Sequence, residues 1–240
     1  MRILCFTSDK HLAALPAFIH LHSKYWGHPV DFVGFTPPEF DIPKPHRFHS
    51  IGKFEDYPLG KWSNAARLAV ETLVKDEAFI YTMDDFWIVR QVNHGQIVRL
   101  WELLNDSPPI ARIDLTTDRL YAAGVYNFGY LDEIDLISNT SPVPYALSLQ
   151  AGIWRKDAFL KYVLPNETPH DVEIMGSARM NNDSALILGT RQAPIKYLIA
   201  IQFGKLALDG GYQVPEILFR DLEELTNKGL LNGLFATVPA

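Results

Sequence analysis

A short apolar segment that ends in two adjacent carboxylates constrains this chain more than any other feature. Residues 78–83 have the sequence Ala-Phe-Ile-Tyr-Thr-Met, and Asp84 and Asp85 follow directly. A short, nearly uncharged run with aromatic and β-branched members is typical of a strand buried on both faces of a parallel sheet. Open α/β sheets bind ligands at the carboxyl ends of their strands. The segment therefore predicts an α/β fold with a ligand site at the two aspartates.

The pair of aspartates also indicates the kind of ligand. Adjacent carboxylates at the end of a buried strand repel each other unless a cation joins them. Hard divalent ions such as Mg²⁺ and Mn²⁺ prefer carboxylate oxygens and commonly bridge to substrate phosphates. The alternative is a strand-end turn with solvated carboxylates, which the apolar run before the pair and Phe86 and Trp87 after it disfavour. We therefore predict a site for Mn²⁺ or Mg²⁺ and a diphosphate.

Composition excludes several other classes of protein. The 240 residues suffice for one large α/β domain, and a hydrophobic content of 48% supports a substantial core. The net charge of −6 gives no indication of a nucleic-acid or anionic-membrane partner. The single cysteine, Cys5, is expected to pack in the core. We recognise no signal sequence and no integral membrane segment, and therefore predict a cytoplasmic protein.

Strands and helices are predicted to alternate along the chain. The predicted strands are residues 2–7, 30–35, 78–83, 110–115 and 146–154, and the predicted helices are residues 10–25, 63–74, 97–104, 157–163 and 215–227. Residues 36–47 and 165–183 are predicted loops, residues 116–145 are ambiguous, and residues 184–204 show no clear period. The pattern predicts one α/β domain with a mostly parallel sheet and helices on both faces.

Three ordered stretches resemble a group of nucleotide-sugar glycosyltransferases with the GT-A fold. They are the Lys-Trp-Ser helix start at 61–63 with the strand, acidic pair and aromatics at 79–87, the strand at 148–156 with the acidic Gly-Ser segment at 171–177, and residues 199–205. The commonest acidic motif of such enzymes has one residue between its aspartates, whereas here the two are adjacent. The resemblance implies a single Rossmann-related domain, in which residues 1–105 bind the nucleotide-sugar and residues 106–240 bind the acceptor and end in a helical part.

The resemblance also implies roles for four acidic residues. Asp85 is the expected direct metal ligand. Asp84 is expected to contact the metal, one of the other ligands of the metal, or a sugar or ribose hydroxyl. Glu173 is the expected general base of an inverting transfer, with Asp171 as the alternative. Glu173 and Asp171 also fit a purely structural interpretation, as a charge cluster in a loop or as the acidic first turn of a helix.

Five further residues are candidates for the nucleotide pocket. Thr7 and Asp9 follow the first predicted strand, where they also fit a helix-capping turn. Ser63 is also, with Asn64 as the alternative, the expected N-cap of the second predicted helix. Lys61 and Arg67 are candidate cations for the diphosphate, although a surface cation on an amphipathic helix is equally compatible with Arg67.

The predicted function is transfer of a sugar from a UDP-, GDP- or TDP-sugar donor to an acceptor hydroxyl. A glycan is the expected acceptor, and a modified DNA base is the less favoured one. One alternative is another metal-dependent enzyme acting on phosphate esters, such as a nucleotidyltransferase or a phosphohydrolase. The other is a non-catalytic module that binds a nucleotide or sugar. No glycine-rich phosphate loop, zinc-spaced Cys/His set or Gly-x-Ser-x-Gly motif is present.

Overall fold

The computed structural model describes residues 1–143, 145–202, 205–206, 215–232 and 234, without the side chains of 202, 205 and 215–218. The strands of these residues are β1 (Ile3–Phe6), β2 (Asp31–Gly34), β3 (Arg47–Ser50), β4 (Ala78–Met83), β5 (Phe86–Ile88), β6 (Ile110–Asp114), β7 (Val125–Leu131), β8 (Ile134–Asn139), β9 (Gly152–Arg155), β10 (Leu186–Thr190), β11 (Tyr197–Ile199), β12 (Ile201–Gln202) and β13 (Lys205–Leu206). The helices are α1 (Leu15–Tyr25), α2 (Trp62–Leu73), α3 (His94–Asp106), α4 (Asp118–Tyr121), α5 (Lys156–Tyr162), α6 (Pro169–Asn182) and α7 (Pro215–Asn227).

Nine of these strands form one sheet in the order β3-β2-β1-β4-β9-β6-β10-β8-β7. Strands β9 and β8 run antiparallel to their neighbours, and the other seven share one direction. The predicted α/β architecture with a mostly parallel sheet is therefore confirmed. Because strands from both predicted halves of the chain pair in this sheet, the halves are continuous.

Helices pack on both faces of the sheet, as β4 illustrates. Ile80 joins a buried cluster that includes residues of α1 and α3, such as Phe18 and Ile97. Phe79 and Tyr81 point to the opposite face and join a second cluster that includes residues of α2, α5 and α6. Residues 78–81 are each 0% exposed, so the prediction of a strand buried on both faces is confirmed.

The reversed direction of β9 determines which residues meet at the ligand-binding edge. Gly152, the first residue of β9, pairs with Tyr81 of β4 and with Asp114 of β6. The amino-terminal end of β9 therefore lies beside the carboxyl-terminal ends of its two neighbours. As a result, the segment that leads into β9 reaches the same edge as the Asp84-Asp85 pair.

Two predicted elements are wrong. Residues 165–183 were expected to be a loop, but most of them form α6, which Thr168 and Asp171 begin with a capping box. The strand expected at 146–154 starts only at Gly152. Before that point, side chains rather than a strand ladder satisfy the backbone: Ser177 Oγ accepts a hydrogen bond from the Leu147 amide at 2.9 Å.

The regions without a clear sequence pattern contain short elements. Residues 116–145 form α4 and the β7–β8 hairpin, and residues 184–204 include β10 and β11. Strand β11 pairs antiparallel with β5, immediately after the acidic pair. Most of the third resembling stretch, including Gly204, lies outside the residues whose side chains are described. Among the described residues, the helices are too short or too polar to cross a membrane.

Candidate functional site

The fold holds Asp84 in a fixed position. The residue follows β4 and is 2% exposed, and Thr7 Oγ1 donates a hydrogen bond to its Oδ2 at 2.5 Å. His11 Nδ1 lies 2.8 Å from its Oδ1. Burial lowers the pKa of His11, but the hydrogen bond to Asp84 and the charge of Asp84 outweigh burial and raise this pKa above its ordinary value. Asp84 is therefore positioned by an ion pair and a hydroxyl from the turn after β1.

Asp85 has an unused carboxylate oxygen. Its Oδ1 is buried and accepts no hydrogen bond within the part of the chain that the structure describes. Burial and the charge of Asp84 raise the pKa of Asp85 to about 7. The carbonyl of Asp85 accepts a hydrogen bond from the Ala200 amide at 2.8 Å, which fixes the backbone. A buried ionised oxygen without a partner is costly, and a cation beside it removes that cost.

The two carboxylates fit a hard divalent cation. Asp85 offers the unused oxygen, and Asp84 is the neighbouring residue. Among the described residues there is no group of three or more His, Cys, Asp or Glu side chains that could hold a metal ion. Mg²⁺ is commonly held by one or two carboxylates while water and substrate phosphates supply the remaining ligands. A two-carboxylate site is therefore adequate for a cation that arrives with a diphosphate.

A cleft of about 290 Å³ opens next to Asp84 and is mainly apolar. Its walls come from the ends of β1 and β2, the start of α2 and the loop after β3. Phe35 and Tyr57 line it with their rings stacked at a centroid distance of 5.6 Å. A Cβ atom on Gly34 would lie 2.8 Å from Thr7 Cγ2, so glycine lets the hydroxyl that holds Asp84 sit at the cleft wall. The size and walls of this cleft suit a planar aromatic group.

The structure brings only some of the predicted nucleotide residues to the cleft. Thr7 lines it and donates to Asp84. The carboxylate of Asp9 instead binds the backbone amide and hydroxyl of Thr36 at 3.1 and 2.6 Å, which ties the turn after β1 to the turn after β2. Lys61 is exposed at the start of α2 and is not one of the lining residues.

Ser63 and Arg67 make structural contacts on α2. The helix begins at Trp62 without a side-chain cap, so the expectation that Ser63 caps it is wrong. Ser63 Oγ instead accepts a hydrogen bond from the Glu167 amide at 2.9 Å. The guanidinium of Arg67 donates to the carbonyls of Leu160 and Val163. Arg67 therefore holds the end of α5, and its role at a diphosphate stays a prediction.

The two candidate bases lie on α6 in different environments. The carboxylate of Asp171 is used in the capping box, and its hydrogen bonds with Thr168 lower its pKa. Glu173 is partly buried, and its Oε1 accepts a hydrogen bond from the Leu149 amide at 2.9 Å. Burial raises the pKa of Glu173, and the charge of Asp118 adds to this shift. A carboxylate with a raised pKa is the better suited of the two to accept a proton.

A buried ionic network lies on the other side of the acidic pair. Asp114 at the end of β6 is 0% exposed. Arg112 Nη2 lies 2.9 Å from its Oδ1, and Arg119 Nε donates to its Oδ2 at 2.8 Å. The Arg112 guanidinium also lies 5.0 Å from the ring centre of Trp154. A Cβ atom on Gly152 would lie 2.8 Å from Arg112 Nε, so the start of β9 must be glycine for this network to fit.

Sequence reasoning missed several residues of the site. They are Lys10, His11, Phe35, Tyr57, Asp118, Gln150 and Tyr197. His11 follows an exposed lysine in a short 3-10 helix, and neither periodicity nor a motif marks it. Gln150 and Tyr197 come from distant parts of the chain, and only the topology of the sheet brings them together. Among these residues, only Asp118 had a signal in the sequence. It lies four positions after β6, and ligand-binding residues often follow the end of a strand.

No family model and no curated protein matches this chain. Similar solved structures include UDP-glucose pyrophosphorylase in complex with UDP-glucose, at 11% identity and a TM-score of 0.48, covering 95% of this chain and 100% of that one. They also include galactosyltransferase LgtC in complex with donor and acceptor sugar analogues, at 14% identity and a TM-score of 0.37, covering 72% and 69%.

An active-site mutant of LgtC is similar at 13% identity and a TM-score of 0.38, covering 67% of this chain. The present chain spans only 59% of the length of that mutant. Identities of 11–14% with TM-scores below 0.5 support no conclusion about activity or substrate. Any functional conclusion must therefore come from the residues of the site.

Proposed function

We propose that this protein is a metal-dependent glycosyltransferase that moves a sugar from a nucleoside diphosphate to an acceptor hydroxyl with inversion. The observation that carries the proposal is Asp85 Oδ1, which is buried and has no hydrogen-bond partner among the described residues, next to the fixed carboxylate of Asp84. A cation and a diphosphate together would satisfy this oxygen. The apolar cleft beside Asp84 would hold the nucleobase between aromatic walls.

The residues of the site divide the work of such a transfer. When bound, Mn²⁺ or Mg²⁺ supplies electrostatic stabilisation for the charge on the departing diphosphate. Glu173 takes the proton of the acceptor hydroxyl, and the acceptor oxygen forms its bond to the anomeric carbon. The bond from that carbon to the diphosphate oxygen breaks, and its electron pair leaves with the diphosphate. Attack from the face opposite the leaving group inverts the configuration.

The raised pKa of Glu173 supports its role as the base. A base works best when its pKa lies near the operating pH, and burial moves this carboxyl in that direction. The hydrogen bond from the Leu149 amide orients the carboxylate through Oε1 and leaves Oε2 for the acceptor.

A thermal-shift series with UDP, GDP and TDP, each with and without Mn²⁺, tests the donor site. A ligand that binds only the folded state raises its stability by mass action. We expect one nucleoside diphosphate to raise the melting temperature in the presence of Mn²⁺ and to have a smaller effect without it. No shift with any of the three nucleotides would contradict the proposal.

Product analysis separates the proposal from its alternatives. Incubation with the matching nucleotide-sugar and Mn²⁺ should release nucleoside diphosphate together with a glycosylated acceptor or free sugar. Release of nucleoside monophosphate would instead indicate a nucleotidyltransferase or phosphohydrolase. Metal-dependent binding without any product would indicate a non-catalytic module.

A further inference from the structure

The fold fixes the side chain of Gln150 in one orientation. Its Oε1 accepts hydrogen bonds from Thr116 Oγ1 at 2.9 Å and from the Tyr197 hydroxyl. Its Nε2 donates to Asp118 Oδ1 at 3.1 Å. A turned-over amide would place its oxygen against the Asp118 carboxylate, which accepts hydrogen bonds and donates none when ionised. Both the donor and the acceptor of this amide are therefore set by the protein.

The second oxygen of Asp118 is unused. Oδ2 is buried and has no hydrogen bond of acceptable geometry in the described ranges of the chain, although the Ser148 hydroxyl lies close enough to the carboxylate to lower its pKa. Burial and the charge of Asp114 raise the pKa of Asp118 above its ordinary value. A buried carboxylate oxygen left without a donor lowers stability. Such a group is typical of a position that a ligand completes.

The location of Asp118 indicates which part of a ligand would complete it. The charges of Asp118 and Asp85 both act on the phenol of Tyr197, and the charge of Asp118 also acts on Glu173. Phe86, the residue after Asp85, packs edge-on against Tyr197 at a ring-centroid distance of 4.7 Å. Gln150 joins Asp118 to the Tyr197 hydroxyl, and Leu149, the residue before Gln150, donates to Glu173. Asp118 is therefore linked to residues beside both Asp85 and Glu173.

We propose that Asp118 and Gln150 bind hydroxyl groups of the sugar that is transferred. A hydroxyl both donates and accepts, so Asp118 Oδ2 accepts from one hydroxyl while Gln150 Nε2 faces a neighbouring sugar oxygen. A phosphate group, which only accepts at neutral pH, would be repelled by Asp118. The inference rests on the proposed function, because it assigns one part of the nucleotide-sugar donor.

Paired titrations test this subsite. The affinities for UDP and UDP-glucose, GDP and GDP-mannose, and TDP and TDP-glucose are measured by calorimetry at saturating Mn²⁺. For the pair that binds, the affinity for the nucleotide-sugar divided by the affinity for the nucleoside diphosphate isolates the contribution of the sugar. Because the lost hydrogen bond involves a charged group, we expect Asp118→Asn to reduce this ratio about 10-fold or more, with unchanged affinity for the nucleoside diphosphate. Asp76→Asn, which removes an exposed acid before β4, is the charge-matched control and should leave the ratio unchanged.

Thermal unfolding separates the subsite from a structural role. Since the fold disfavours the charge of Asp118, Asp118→Asn should leave the melting temperature unchanged or raise it. Thr116→Val, which keeps that charge and removes one bond to Gln150, should reduce the ratio by a smaller factor. The proposed subsite is overturned if Asp118→Asn leaves the affinity ratio unchanged. It is also overturned if this variant has a lower melting temperature and loses affinity equally for both members of the pair. If the unsubstituted protein binds none of the six ligands, the proposed function itself fails, and the subsite with it.

Discussion

The side of the acidic pair that faces β1 and β2 is built from aromatic and aliphatic side chains, whereas the side that faces β6 and β9 is built from buried charges. On the first side, Phe35 and Tyr57 stack along a cleft that contains few polar groups. On the second, Asp114 lies between two arginines and Asp118 is oriented by Gln150. The first side suits a flat ring recognised by stacking, and the second suits a ligand with many hydroxyls recognised by directional hydrogen bonds.

Replacing Asp85, which lies between the two sides, should have the largest effect on activity. Asp85→Asn removes the unused oxygen that the proposed cation requires, and we expect kcat/KM to fall by about 10³-fold or more, since a metal ion supplies several kcal/mol. Nucleoside diphosphate binding should also lose its dependence on Mn²⁺, which calorimetry measures. Retention of Mn²⁺-dependent binding would show that the metal is held elsewhere.

The same carboxyl predicts a pH dependence of stability. The pKa of Asp85 is about 7 in the folded protein, above the ordinary value of 3.8, so ionisation opposes folding. This cost is absent below about pH 3.8, grows as the pH rises towards 7 and is constant above it. Without metal, Asp85→Asn should therefore match the unsubstituted protein in melting temperature near pH 4 and exceed it near pH 8. A difference that does not change with pH would contradict the environment assigned to Asp85.

Glu173→Gln removes the proposed base while keeping its size and its hydrogen bond to Leu149. We expect kcat to fall by about 10²–10⁴-fold, the usual contribution of a positioned base, with little change in donor affinity. Asp171→Asn is the matched comparison on the same helix. It weakens the capping box and should lower the melting temperature slightly, with a much smaller loss of kcat. If the larger loss of kcat occurs in Asp171→Asn, the base is Asp171.

Truncation of the aromatic wall should affect only the first side. Tyr57→Ala removes the ring that stacks on Phe35, and stacking of one base on an aromatic side chain is worth about 1–3 kcal/mol. We expect the dissociation constant of the nucleoside diphosphate to rise about 10-fold, with kcat at saturating donor unchanged. A fall in kcat without a change in binding would show that Tyr57 acts on the sugar side instead.

Substitution of Arg67 should have the smallest effect on activity. Arg67→Met removes the donors that hold the Leu160 and Val163 carbonyls, so we expect the free energy of unfolding to fall by about 1–3 kcal/mol. Affinity for the nucleoside diphosphate should not change. A large loss of that affinity in a normally folded variant would restore the role in diphosphate binding that its sequence position suggested.

The sequence was most informative where one strong local pattern decides the structure. The buried strand before Asp84, the amphipathic helix α2 and the strand at 110–115 were all predicted because apolar spacing marks them. Helix α6 was missed because its buried face includes the small residues Gly176 and Ser177, while Ile174 and Met175 are exposed. Its apolar residues therefore do not follow the period of a helix.

Many contacts of the site were not predicted from the sequence, and the cause is a different one. The acidic pair was predicted from one contiguous segment, but the partners of Asp84 come from the turn after β1. The partners of Gln150 come from the segment after β6, from α4 and from β11. These contacts depend on strand order, which a single sequence does not reveal. The contacts of Arg67 with the end of α5 were not predicted for the same reason, because that end lies beside α2 only in the folded chain.

Strand β9 starts at the edge of the sheet where β4 and β6 end. The connection between β8 and β9 therefore lies at the site, and its length can vary. Residues inserted or deleted between β8 and β9 would reshape one wall of the site while the register of the central strands stayed the same. The apolar cleft beside Asp84, formed by other connections, would be unaffected. Because Leu149 and Gln150 lie in this connection, exchange of this single loop would change the hydrogen bonds of Glu173 and Asp118.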